Sequence, residues 1–144
     1  MRKLALLLST LPMLAHAMGE GTWQASSIGI TLANRGVVAS SSQLGPTGPV
    51  SGLMTDVSWR YELNGPTPAG LIVRLCSQAR CVALDGQSGT TRAFNGVPAL
   101  EPLRYVWEVP GGGRLWPALT VRSNQVIVNY RRPPAQPLAV NSIS

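Results

Sequence analysis

Apolar and polar residues alternate with a period of two along much of this chain. Val57, Trp59, Tyr61 and Leu63 fall on one face, and Asp56, Ser58, Arg60 and Glu62 on the other. Leu71, Val73 and Leu75 repeat the pattern around Arg74. Tyr105, Trp107 and Val109 alternate with Arg104, Val106 and Glu108. Val126, Val128 and Tyr130 alternate with Ile127, Asn129 and Arg131. One buried face and one wet face mark antiparallel sheet. No stretch sustains a helical period.

Turn signals separate these runs. They include Gly45-Pro46-Thr47-Gly48-Pro49, Asn64-Gly65-Pro66-Thr67-Pro68, Asp85-Gly86-Gln87-Ser88-Gly89, Asn95-Gly96-Val97-Pro98 and Pro110-Gly111-Gly112-Gly113. The pattern predicts strands near 22–33, 36–43, 51–63, 70–77, 80–85, 90–95, 103–109 and 118–131. The last is expected to break into a hairpin at Ser123-Asn124. Eight or nine short strands predict an all-β, single-domain antiparallel β-sandwich, with a closed barrel as the rival. Trp59 and Trp107, on apolar faces with Tyr61 and Tyr105, are expected in the core. Glu62 is expected to pair across a short turn with Arg74.

The two ends read differently. Arg2 and Lys3 precede the apolar run Leu4–Leu14, and Ala15-His16-Ala17 follows. A positive start, a short apolar run and a small-x-small site predict a signal peptide over residues 1–17. The run is too short to span a bilayer. The β-sandwich domain is expected over 18–132, and 133–144 is expected to be a Pro-rich flexible tail. Cleavage after Ala17 removes the only histidine and the only lysine.

That loss changes what the chain can do. Ten arginines against six acids leave a net charge of +4 after cleavage. The arginines are spread along the sequence, unlike the clustered footprint of a nucleic-acid binder. A serine nucleophile has neither histidine nor lysine to act as its base. Asp85, Glu101 and Glu108 could serve a hydrolase only if folding brought them together. Gly111-Gly112-Gly113 lacks the lysine and helix of a phosphate loop and reads as a wide turn. No catalytic residue, cofactor or metal site is predicted.

Cys76 and Cys81 are the only cysteines. In an oxidising compartment two such neighbours pair, and their spacing suits the mouth of a hairpin. Two thiolates without histidine are too few for a metal, and CxxxxC is not the redox CxxC. Trp116, beside Arg114 in a Gly/Pro-rich loop, either covers one end of the sandwich or offers a contact to a sugar ring or a protein. Trp23 could pack either way. Trp116, Arg114 and Trp23 are therefore the candidate contact residues.

Longer strings carry more information. Gly19-Glu20-Gly21-Thr22-Trp23, Trp59-Arg60-Tyr61-Glu62-Leu63-Asn64-Gly65-Pro66, Leu84-Asp85-Gly86-Gln87-Ser88-Gly89 and Trp107-Glu108-Val109-Pro110-Gly111-Gly112-Gly113-Arg114-Leu115 are among them. Over residues 1 to 132 the chain resembles the FlhE family of flagellar proteins from enteric bacteria. The resemblance implies a β-sandwich, the cysteine pair and no catalytic motif. It implies a periplasmic accessory protein of flagellar assembly, associated with limiting proton leak through the export apparatus and with a chaperone role. The expected partners are flagellar export or rod components, met by a monomer without stable membrane insertion. Blocking a channel and adding a strand to a subunit are two ways such a module could act. The alternative is an envelope glycan-binding module using Trp23 and Trp116.

Overall fold

The computed structural model describes residues 20–132. The expected signal peptide over 1–17 and the expected tail over 133–144 lie outside the described residues. Among the described residues nine strands form: β1 (Glu20–Ile28), β2 (Thr31–Asn34), β3 (Val38–Ser40), β4 (Leu53–Asn64), β5 (Ile72–Cys76), β6 (Cys81–Ala83), β7 (Ser88–Thr91), β8 (Arg104–Glu108) and β9 (Arg114–Arg131). All pairings are antiparallel. One sheet runs β1-β9-β4-β7, with β2 also on β9; the other runs β3-β8-β5-β6. The two pack as the β-sandwich that the alternation predicts.

Alternation builds the interface between the sheets. Val57, Trp59 and Tyr61 of β4 are buried, as are Val126 and Val128 of β9 and Tyr105 and Trp107 of β8. Tyr61 meets Trp107 edge-on at 4.8 Å, and Tyr105 stacks on Trp107 at 5.5 Å. Edge-on and offset contacts suit the ring quadrupole. These three rings join the sheets at their centre.

Tyr105 does more than fill space. Its hydroxyl crosses from β8 into the opposite sheet and enters the β4–β9 ladder at the Arg60–Gln125 pair. It accepts the Arg60 N–H at 3.2 Å and donates to the Gln125 carbonyl. The ring is fully buried, and desolvation raises the pKa of its hydroxyl well above its ordinary value, outweighing the opposing effect of the hydrogen bond accepted from the Arg60 N–H.

Two expectations change. β9 does not break at Ser123-Asn124. It is the central strand there, paired on one side with β1 and on the other with β4. Asn124 is fully buried and its side-chain amide donates to the Ser27 hydroxyl at 2.8 Å. Ladder bonds on both sides outweigh the local turn preference of a Ser-Asn pair. Glu62 does not meet Arg74, because β4 and β5 belong to different sheets. Glu62 pairs with Arg60 at 3.1 Å on its own strand, and Arg74 with Glu108 of adjacent β8 at 3.5 Å.

Candidate interaction surface

The second sheet carries the cysteine pair. Cys76 and Cys81 face each other at the mouth of the β5–β6 hairpin and are joined as a disulfide. The bridge closes one hairpin and stands apart from the tryptophan candidates.

Trp23 is not a surface residue. It lies on the inner face of β1, 7% exposed, and its indole N–H donates to the Ala99 carbonyl at 2.8 Å. The small residue at position 25 and Trp23 occupy the inward positions of β1, while Thr22, Gln24 and Ser26 point out. The two-tryptophan platform of a glycan-binding module therefore loses one of its members.

Trp116 has the opposite environment, with 81% of its surface exposed. Between Leu32 and Asn34 the β2–β9 register slips: Leu32 faces Leu119, but Asn34 faces Arg114. The extra β9 residues bulge outward and carry Trp116 with them, while Leu115 and Leu119 on either side stay buried. A bulge re-aims a side chain in this way. The Arg114 guanidinium lies over the indole at 5.9 Å, a cation–π distance. The Arg35 N–H reaches the Gly113 carbonyl at 2.8 Å, which fixes the neighbouring turn. An aromatic with a cation above it, on a braced bulge, can bind a protein partner through burial and charge together.

The outer face of the first sheet forms a second surface. A row of hydrogen bonds crosses three strands there. Thr22 donates to the Asn129 side-chain oxygen at 2.8 Å, and the Asn129 amide donates to the Asp56 carboxylate at 2.7 Å. The row lines an open polar cleft of about 630 Å³ with Arg92, Asn95 and Tyr130. The side of Gly21 makes room for the Tyr130 ring, which a Cβ there would strike. The sequence pattern gave no sign of this cleft, because the three row residues are far apart in the chain and meet only through the β1-β9-β4 order.

Two of the three acids considered for hydrolysis, Glu101 and Glu108, are engaged separately. Glu108 pairs with Arg74, and the Glu101 carboxylate accepts the Gln78 N–H at 2.7 Å. Among the described residues no three His, Cys, Asp or Glu side chains gather closely enough to hold a metal ion.

Together these features define a disulfide-bridged antiparallel β-sandwich with an exposed Trp–Arg contact. Comparison with known proteins narrows that class. The family model for flagellar protein FlhE matches residues 29–131, and the chain belongs to that family. It is 73% identical over 132 residues to flagellar protein FlhE of Salmonella typhimurium strain LT2, covering 91% of this chain and 100% of the relative. It is 67% identical over 120 residues to flagellar protein FlhE of Escherichia coli K12, covering 83% and 92%. A crystal structure of FLHE superposes with a TM-score of 0.78 at 75% identity, covering 79% of this chain and 99% of the other.

Proposed function

We propose that this protein is a periplasmic, non-enzymatic accessory of flagellar assembly that acts by binding export or rod components. In that role it limits proton leak through the flagellar export apparatus, acts as a periplasmic chaperone or plug, or does both. Membership of a flagellar family supports the setting. The leader expected from the first seventeen residues supports export. The observation that carries the binding role is Trp116, exposed on a bulge beneath Arg114. An indole left this bare contributes little to folding, yet it is the kind of side chain that anchors an interface.

The test uses a strain lacking the gene, complemented with wild type or with Trp116→Ala. Proton entry into the cytoplasm is measured with and without an assembled export apparatus. Entry should rise on deletion only where the apparatus is present, and Trp116→Ala should fail to restore it. The variant's stability should stay within about 0.5 kcal/mol of wild type, as for other exposed positions. Equal entry in both backgrounds removes the leak-limiting role. Full rescue by Trp116→Ala removes Trp116 from the contact.

A further inference from the structure

A sheet protein must protect its edges, because an unpaired strand presents a ready template for another chain. Three of the four edges here are short. β7 has four residues, while β3 and β6 have three each. The β5–β6 hairpin that carries β6 is also closed by the disulfide. β2 continues the remaining edge, with four residues and a register slip.

β1 is the exception. It runs for nine residues, Glu20–Ile28, and its pairing with β9 holds one register from end to end. It contains no proline, no lysine and no bulge, the usual devices that blunt an edge. Among the described residues β9 is the one strand it pairs with.

Backbone polarity fixes which groups pair with no other described strand. The Tyr61 N–H donates to the Gln87 carbonyl on the β7 side, so its neighbour Arg60 points toward β9. Arg60 and the Gln125 carbonyl meet there at the Tyr105 hydroxyl. Gln125 thus faces β4. Direction alternates residue by residue, so Val126 and Val128 face β1, and Ala25 and Trp23 answer them. Thr22, Gln24 and Ser26 then aim their N–H and C=O groups away from the sheet.

We infer that this free edge of β1 is a docking strand for an extended polypeptide segment of a flagellar rod subunit, added through the backbone of Thr22, Gln24 and Ser26. Only an extended chain offers N–H and C=O groups at the matching spacing. Side chains define the rest of the segment. Thr22, Gln24 and Ser26 lie outward on β1, and Ile28 ends the row at 85% exposure. The segment carries small polar residues at alternate positions and an apolar residue where it passes Ile28. A second copy of this chain is a poor fit. Pairing β1 with itself about Gln24 would set Glu20 against Ile28 at both ends.

This inference rests on the proposed flagellar role and adds a second contact to the one at Trp116. The probes are tiled twelve-residue peptides covering the rod subunits of the same organism, together with the full-length subunits. Binding is read by fluorescence polarisation and by hydrogen exchange of individual amides. Gln24→Pro removes one outward N–H and leaves the β9 ladder intact, and proline is accepted at such an edge position. Gln24→Ala is the side-chain control.

At least one peptide should bind and slow exchange at Thr22, Gln24 and Ser26. Gln24→Pro should weaken it about tenfold or more, and Gln24→Ala by much less. Subunit binding that leaves these amides unprotected overturns the docking strand but leaves the flagellar role standing. No binding of any peptide or subunit to wild type overturns the docking strand and the rod as partner, and leaves the flagellar role to the export components. A wild-type dimer that Gln24→Pro dissociates gives the edge to a second copy and also overturns the inference. If Gln24→Pro fails to fold, amide protection in wild type decides the matter alone.

Discussion

Single side chains set much of this protein's character, and Tyr105 is the clearest case. It was legible in the sequence as a core residue from its place on the apolar face of β8. Its hydroxyl's insertion between β4 and β9 was not, because alternation reports which face a residue takes and nothing about what lies across the core. Burial holds the phenol neutral to a pH above its ordinary value near 10. The unfolded chain releases that proton near pH 10, while the folded protein keeps it. The stabilisation is therefore complete below pH 10 and declines as pH rises from there toward the folded value. Unfolding midpoints should hold level between neutrality and pH 9 and fall above 10. Tyr105→Phe should cost about 1–3 kcal/mol at neutral pH, since it strands the Arg60 N–H and the Gln125 carbonyl. It should also flatten the alkaline decline, and an unchanged slope would show that another group carries it. Trp116 and Trp23 make the complementary point. Both follow polar or glycine-rich sequence, yet one is bare and the other hidden beneath Ala99.

At the scale of elements, strand pairing depends on what each partner allows above it. β4 and β7 meet at Trp59 and Gly89, and the indole lies over the glycine. A Cβ at Gly89 would fall 2.5 Å from the Trp59 ring. That ring is buried and held by an N–H bond to the Gly86 carbonyl at 3.1 Å, so it has little room to move. Gly89→Ala is expected to destabilise by about 1–3 kcal/mol, as overpacking does. Gly48→Ala, whose Cβ meets nothing within 4 Å, should stay within about 0.5 kcal/mol. Thermal or urea unfolding of the two variants checks the contrast, and equal losses would contradict it. The sequence marked Gly89 as part of a turn signal. Its use as a seat for an aromatic ring became visible only once β7 was laid beside β4. Strand limits failed for a related reason: Ser123-Asn124 looks like a turn locally, but two neighbouring strands hold it extended.

For the molecule as a whole, one core between two sheets should give one cooperative transition. The disulfide closes a short hairpin at the margin of the second sheet, so it constrains few unfolded conformations. Reduction should lower stability by only about 2 kcal/mol and leave the fold standing. Denaturation followed by tryptophan fluorescence and by far-ultraviolet circular dichroism, with and without reductant, tests both statements. Separate transitions for the two probes, or collapse on reduction, would contradict them. The sequence by itself determined the all-β class, the cysteine pairing, the tryptophan and tyrosine core, and kinship with flagellar proteins. Each of these follows from local alternation, close spacing or long matching strings. The tertiary structure alone decided strand order, and with it which tryptophan meets solvent, where the polar cleft opens and which edge strand is long and regular. Those properties arise where residues distant in the chain are set side by side, and a period of two along a strand is blind to its neighbours.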